Sequence, residues 1–325
     1  MSLPLVRVLA MGGTIASIGG PGAGVRPGLG AAELVEAVPQ LTDVARIEAE
    51  QFRQMASPHM TLADVVALAR EILAEPVPTV VTHGTDTIEE TAFALELLIG
   101  EVGPVVVTGA MRNPTLPGAD GPANVLAAVQ TAIDRHASGR GVMVVLNDEI
   151  HTARHVIKGN TALASTFISP QSGRIGQIVE GRPHWFASLP PLPVLTIGDD
   201  GPPGPELPWV PLWTVALGDD GRLLERAADD IDGLVVAGMG GGHVPPASIP
   251  VLEKIAKRVP VVLASRTGSG AVLERTYGYA GAEFDLLGIG AIPAGWLAPL
   301  KARVLLMLAL AAGRRDIPAI FAPFR

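Results

Sequence analysis

The sequence predicts an α/β fold with a larger N-terminal domain, whose mainly parallel sheet is flanked by helices, and a smaller C-terminal α/β domain. Three observations predict it. Short β-branched runs alternate with segments of helical periodicity, and those runs are apolar throughout, as in strands covered on both faces. A Pro- and Gly-rich stretch then interrupts the alternation past the midpoint of the chain. With 325 residues, 48% of them hydrophobic, there is enough apolar material for two cores.

Taken in order, residues 6–10, 79–82, 105–108 and 142–146 are the expected strands of the first domain. Leu62, Val65, Val66, Ala69, Ile72 and Leu73 recur at helical spacing, with Thr61 placed as an N-cap. Thr87 and Glu90 predict a capping box opening a helix that runs to about residue 99, stopped by Gly100. Asp86 then stands just ahead of a helix N-terminus, where the dipole favours negative charge. Residues 190–211, including Pro190-Pro191-Leu192-Pro193 and Gly201-Pro202-Pro203-Gly204-Pro205, are expected to connect a domain of residues 1–189 to one of 212–325. In the second domain, strands are expected at 234–237 and 261–264, with helices near 249–258 and from about 300 to 312.

Composition removes several function classes. The chain has no cysteine, hence no disulfide, no cysteine nucleophile and no thiolate zinc site. A formal charge of -8 argues against nucleic acid as a partner, since phosphate binding needs a basic surface. The mean hydropathy of +0.37 is high. Yet the most apolar stretch, 304–312, is flanked by Lys301, Arg303 and Arg314 and is far short of the roughly 20 residues a bilayer requires. The N-terminal apolar run is too short for a signal peptide. A cytoplasmic location with no membrane partner is expected.

The chemistry concentrates in two threonine-centred segments, each following an apolar run: Met11-Gly12-Gly13-Thr14-Ile15-Ala16-Ser17 and Thr82-His83-Gly84-Thr85-Asp86-Thr87-Ile88-Glu89-Glu90-Thr91. A hydroxyl just beyond a buried strand, among glycines that admit a ligand to the backbone, is a candidate nucleophile. Two such hydroxyls, one beside a carboxylate, suggest acyl transfer.

Gly12-Gly13-Thr14-Ile15-Ala16 and His83 to Thr91 resemble the two threonine motifs of bacterial-type L-asparaginases and glutaminase-asparaginases. Gly109-Ala110-Met111-Arg112, Ala119-Asp120-Gly121-Pro122, Asn147-Asp148 and Lys158 follow in that family's order, and the similarity extends from about residue 5 to 310. The resemblance implies hydrolysis of L-asparagine to L-aspartate and ammonia, with L-glutamine as a poorer substrate and no metal or organic cofactor. It implies a homo-oligomer, dimer or tetramer, with sites at the subunit interface. Thr14 would be the first nucleophile. Thr85, Asp86 and Lys158 would form a second triad, in which lysine and aspartate make the Thr85 hydroxyl a proton acceptor or orient water. Backbone N–H groups near Thr85 and Ala110 would hold the oxyanion, while Ser57 and Asp86 would bind the α-carboxylate and α-ammonium groups.

Four departures from the family pattern stand out. Residues 19–30, a glycine-rich loop whose composition suits a lid, lack the tyrosine that hydrogen-bonds the nucleophile; Tyr277 and Tyr279 are candidates to replace it. Ser57-Pro58-His59 stands where the family has Ser-Gln-Asp, so His59 changes one substrate contact. Gly240-Gly241-Gly242-His243 replaces a motif that brings an asparagine to a neighbouring subunit's site. The glutamate donated across the dimer corresponds to Glu274 or Glu283.

Other patterns have plainer explanations. His151 and His155 are spaced i, i+4, but no zincin glutamate follows, and a solvated loop is expected there. His83 and His243 are glycine-flanked and suit structural roles or donors behind the site. Residues 238–242 lack the Lys-Ser/Thr ending of a phosphate loop, so tight packing or a close approach to a neighbouring subunit is expected. Two rival functions remain. One is the amide-hydrolysing subunit of a tRNA-dependent amidotransferase, disfavoured by the acidic chain and the early position of Thr14. The other is a non-catalytic amino-acid-binding or regulatory protein.

Overall fold

The computed structural model describes residues 3–20, 24–196 and 207–325, in two compact units, Met1–Val194 and Leu195–Arg325. The first unit runs β1 (Leu5–Gly12), β2 (Ser17–Gly20), β3 (Gly24–Pro27), α1 (Ala31–Glu36), α2 (Leu41–Val44), β4 (Arg46–Met55), α3 (Leu62–Ala74), β5 (Thr79–Thr82), α4 (Ile88–Ile99) and β6 (Val105–Thr108). It continues with α5 (Gly121–Ala132), β7 (Val142–Leu146), β8 (Glu149–Thr152), β9 (Ile157–Lys158), β10 (Phe167–Ile168), β11 (Gly176–Val179) and β12 (Arg182–Trp185). Eight strands form one sheet in the order β12-β11-β8-β7-β6-β5-β1-β4. The five from β7 to β4 are parallel, and β8, β11 and β12 extend the sheet antiparallel.

The strand order locates the site. The chain leaves β1 toward β4 on one side, then returns to β5 on the other, so its direction of winding reverses between β1 and β5. In such sheets a crevice opens at the carboxyl ends of the strands flanking the reversal. Strands β5, β6 and β7 are wholly buried, as their continuous apolar runs require. Within β1, Arg7 is only 5% exposed. Its guanidinium is satisfied by Glu50 at 3.2 Å, Glu71 at 2.5 Å and Glu75 at 3.4 Å.

Several local expectations change. Helix α3 has its Thr61 cap, with Thr61 Oγ1 accepting the Asp64 N–H at 3.3 Å, but Leu73 is 43% exposed and Leu68 fills the buried face instead. Helix α4 stops at Gly100, φ 60°, as predicted. The Thr87–Glu90 capping box does not form: the Thr87 hydroxyl donates to the Ser57 carbonyl at 3.3 Å and caps nothing. His151 is not in a solvated loop. It lies on β8, 2% exposed, with Nδ1 3.0 Å from Ser169 Oγ. The turn before it, Asn147-Asp148, has φ of 53° and 59° at both residues, the left-handed pair that joins a tight hairpin.

The second unit runs β13 (Leu212–Thr214), α6 (Arg222–Ala227), β14 (Leu234–Gly238), α7 (Ile249–Ala256), β15 (Val261–Ser265), α8 (Glu283–Gly288), β16 (Ile292–Pro293), α9 (Pro299–Ala311) and α10 (Ile317–Phe321). Its four strands are parallel in the order β13-β14-β15-β16. Its core gathers Trp213, Leu234, Val236, Leu252, Ile255 and Leu263. Among the described residues no helix is long and apolar enough to cross a membrane. Residues 21–23 of the suggested lid, and 197–206 of the suggested connector, lie outside the described residues.

Candidate active site

Strands β1 and β5 run side by side up to the pair Ala10–Thr82. Beyond it, Gly12 and Gly13 take φ of 96° and 87°, a region that L side chains rarely adopt. A Cβ on Gly13 would stand 2.3 Å from Gly84 Cα, so the two loops touch backbone to backbone. Thr14 and Thr85 are each the next residue. The other strand ends close in the same way. A Cβ on Gly84 would meet Ser57 Oγ at 2.7 Å, and one on Gly109 would meet the His83 carbonyl at 2.6 Å and Thr85 Cγ2 at 3.3 Å. Segments following β1, β4, β5 and β6 therefore meet at the sheet's carboxyl edge, bringing Thr14, Ser57, Thr85 and Ala110 into one neighbourhood.

Lys158 arrives from β9, held by its pairing with Phe167 of β10. Its Nζ donates to Thr85 Oγ1 at 2.9 Å and to Asp86 Oδ1 at 2.6 Å. The hydroxyl is buried, Thr85 being 5% exposed, while the Asp86 side chain remains 56% exposed. A proton can thus pass between hydroxyl and amine over a single contact, with a carboxylate balancing the ammonium charge. An open cavity of about 370 Å³ lies over this group, lined by Asp86, Glu89, Lys158, Gly159, Asn160 and Thr161.

His83 sets the loop that carries Thr85. It is fully buried, with Nδ1 donating to the Gly84 carbonyl at 2.7 Å and Nε2 facing Met60 Sδ at 3.0 Å. Burial pushes the imidazole down to about 4, against the opposing pull of the Gly84 carbonyl. It is neutral at pH 7 and structural.

On the far side, Asp120 accepts the N–H groups of Met111 at 3.1 Å and Arg112 at 2.8 Å. Asn124 Nδ2 donates to the Gly109 carbonyl at 2.9 Å and to Asp120 at 3.1 Å, and Asn124 Oδ1 accepts the Asn147 N–H at 2.9 Å. These bonds fix the loop around Ala110. Asn124 was not singled out in the sequence; it is 2% exposed on the buried face of α5.

His59 ends a short 3-10 turn, Ser57–His59, and is exposed. Glu274 and Glu283 belong to the second unit. Glu274 forms a two-pronged pair with Arg325, whose Nε lies 3.1 Å away. Glu283 bonds His243 Nε2 at 3.1 Å. The glycine run packs tightly: a Cβ on Gly238 would sit 2.4 Å from the Gly242 carbonyl carbon. No group of three or more His, Asp or Glu side chains that could hold a metal occurs among the described residues.

Fold and site together define a two-domain α/β protein with hydroxyls, an amine and a carboxylate at the carboxyl edge of a parallel sheet, an inventory suited to acyl transfer. Residues 5–191 match the family model described as Asparaginase, N-terminal, and residues 210–322 that described as Glutaminase/Asparaginase C-terminal domain. The chain belongs to the asparaginase family, as its threonine motifs implied. A probable L-asparaginase of Deinococcus radiodurans is 39% identical over 329 residues, 98% of each chain. L-asparaginase 2 of Escherichia coli is 37% identical over 327 residues, 95% of this chain and 90% of the relative. The crystal structure of a probable cytoplasmic L-asparaginase from Campylobacter jejuni superposes with a TM-score of 0.84 at 33% identity, covering 98% of this chain and 99% of that one.

Proposed function

We propose that this chain hydrolyses L-asparagine to L-aspartate and ammonia, with L-glutamine as a slower substrate. The observation that carries the mechanism is the contact of Lys158 Nζ with both Thr85 Oγ1 and Asp86 Oδ1. In the proposed reaction Thr14 Oγ1 attacks the side-chain amide carbon and its proton leaves with ammonia, giving an acyl-enzyme. Water then cleaves that ester: Thr85 with Lys158 accepts the water's proton, and a proton returns to Thr14 Oγ1 as its bond to the acyl carbon breaks. Backbone N–H groups at Thr85 and Ala110 stabilise the oxyanion of each step. Ser57 and Asp86 bind the substrate's α-carboxylate and α-ammonium. The chemistry needs no metal or organic cofactor.

Steady-state ammonia release tests this. Thr14→Ala and Thr85→Ala should each lose at least about a hundredfold in kcat/KM, near 3 kcal/mol of transition-state stabilisation. Full activity in either variant removes that residue from the mechanism. Binding of L-asparagine without ammonia release by the unsubstituted chain would favour the amino-acid-binding role instead.

A homo-oligomer in the cytoplasm is part of the same proposal. Exposed aromatic side chains on the second unit (Tyr277, Tyr279, Phe284 and Trp296, 42–53% exposed) suit a subunit contact, and the Campylobacter jejuni relative is described as cytoplasmic. Light scattering on the purified chain would read the assembly directly, and a monomer would overturn it.

A further inference from the structure

Lys158 carries the proposed chemistry, yet the hairpin that bears it stands apart from the main sheet. Strands β9 and β10 form a two-stranded sheet of their own, pairing Lys158 with Phe167 and Ile157 with Ile168. At the tip, the Gly159 N–H donates to the Thr166 carbonyl at 2.8 Å and the Asn160 N–H to Thr166 Oγ1 at 2.7 Å. These bonds fix the hairpin's own shape. They do not fix its height over Thr85.

That height is set at the feet, by side chains. Where the chain leaves β8, Arg154 Nη2 lies 3.4 Å from Glu96 Oε1 of α4 and donates to the Pro190 carbonyl at 2.7 Å. Where it returns, Ser169 directly follows β10, and its Oγ lies 3.0 Å from His151 Nδ1. Both Ser169 and His151 are buried. His151 stands on β8 opposite Val144 of β7, a strand buried throughout. Its Nε2 faces Glu149 Oε2 at 3.4 Å, and Glu149 Oε1 accepts from Arg174 Nη1 at 2.6 Å. An ionised carboxylate only accepts, so Nε2 carries hydrogen and Nδ1 is left to receive the Ser169 hydroxyl. A buried bond thus runs from the main sheet to the strand facing the lysine, two positions from Phe167.

We propose that His151, acting through Ser169, is a positioning residue for Lys158. It touches no reacting group. It fixes the foot of β10, β10 fixes the Lys158 backbone through Phe167, and Nζ is thereby held 2.9 Å from Thr85 Oγ1. Under the amide reading proposed above, on which the kinetic consequence rests, that contact is the proton path of the second step. A displacement of about 1 Å there costs a rate on the order of a hundredfold. Ser57 and Asp86, which bind the substrate in that reading, stand on other segments, so substrate binding should be spared.

Two readouts separate positioning from mere support. In the first, the native protein is treated with trace acetic anhydride and each lysine is followed by peptide mass spectrometry. The Lys158 side chain is 16% exposed, whereas those of Lys254 and Lys257, at 60% and 72%, serve as references. Ser169→Ala should raise Lys158 labelling at least about threefold against those references, as the amine leaves Thr85 and Asp86. In the second, ammonia release by Ser169→Ala should fall at least about tenfold in kcat, with KM within about twofold of the unsubstituted chain. In a Lys158→Met background the same substitution should cost nothing further, because the amine that it positions is gone.

His151 supplies the conservative pair. An asparagine side chain places a polar atom where Nδ1 stands, and a glutamine places one where Nε2 stands. His151→Gln should therefore behave as Ser169→Ala, and His151→Asn as the unsubstituted protein; a histidine needed only for packing would suffer equally from both. Unchanged Lys158 labelling in folded Ser169→Ala or His151→Gln, or equal losses in His151→Gln and His151→Asn, would overturn the proposal. Failure of both Ser169→Ala and His151→Gln to fold would make the bond a support of the sheet, and the proposal would fall with it. Absence of ammonia from the unsubstituted chain would sink the amide reading instead, and Lys158 labelling would then judge the hairpin alone.

Discussion

The two units hold their carboxylates in opposite ways. Asp86 is neutralised by an ammonium 2.6 Å away and keeps a side chain 56% exposed. Glu283 is fully buried and rests on backbone N–H groups and an imidazole. An exposed ion pair contributes little to stability and can release either partner when a charged ligand enters. A buried carboxylate tied to backbone donors is costly to disturb and keeps one geometry. The first arrangement suits turnover, with charges that must be exchanged. The second suits a turn held in one shape.

The glycines of the two units offer the sharpest way to break this contrast. Gly13→Ala places a methyl 2.3 Å from Gly84 Cα at φ 87°. It should cost about 3 kcal/mol or more in chemical denaturation and abolish ammonia release, because backbone cannot give way as a side chain can. Gly240→Ala, at φ 52° with nothing within 4 Å of the new methyl, should cost only about 1 to 2 kcal/mol, from conformation alone. Equal losses would mean that the contact between the two threonine loops is looser than its geometry.

Acid should separate the units next. His83 is held at about 4 against an ordinary value of 6.5. Between those values the unfolded chain takes up a proton that the folded one refuses. The first unit should therefore lose roughly 3 kcal/mol as pH falls from 6.5 to 4. Glu283 has its folded value depressed below 4.5. Its contribution is complete above that pH and disappears as pH falls through the folded value. Hydrogen exchange resolved by peptide should show the first unit losing protection at higher pH than the second, and His83→Gln should flatten that early slope. Simultaneous loss would show that the two groups do not govern their units. The smallest effect belongs to Thr61→Ala, which removes a working N-cap and should cost about 1 kcal/mol by denaturation without changing the KM for L-asparagine.

What the sequence disclosed followed from how each segment is covered. Residues 79–82, 105–108 and 142–146 were legible to the residue because strands buried on both faces must be apolar throughout. Strand β4 escaped because it is the edge strand beside β1 among the described residues, and its sequence Arg-Ile-Glu-Ala-Glu-Gln-Phe-Arg-Gln-Met is largely exposed. His151 was misplaced because a buried histidine bonded to Ser169 cannot be told from a solvated one by spacing. Thr87 was assigned a cap from its spacing to Glu90, whereas a long-range acceptor, the Ser57 carbonyl, claimed its hydroxyl. In the site, Thr85, Asp86 and Lys158 were identifiable as a pattern, and their side chains do meet. Asp120 stood in a matched run with no role assigned to it, and Asn124, which holds the same loop, left a fainter mark in the sequence.

The position of β1 has a consequence for how the protein is made. It is made before the other strands of its sheet yet sits between β4 and β5, so it waits for both before its edges are covered. Lys158 comes 73 positions after Thr85. A nascent chain halted before that lysine could already have paired its central strands and brought both threonine loops together, while still lacking the amine that bonds Thr85 and Asp86. During synthesis, the parallel framework would precede reactivity.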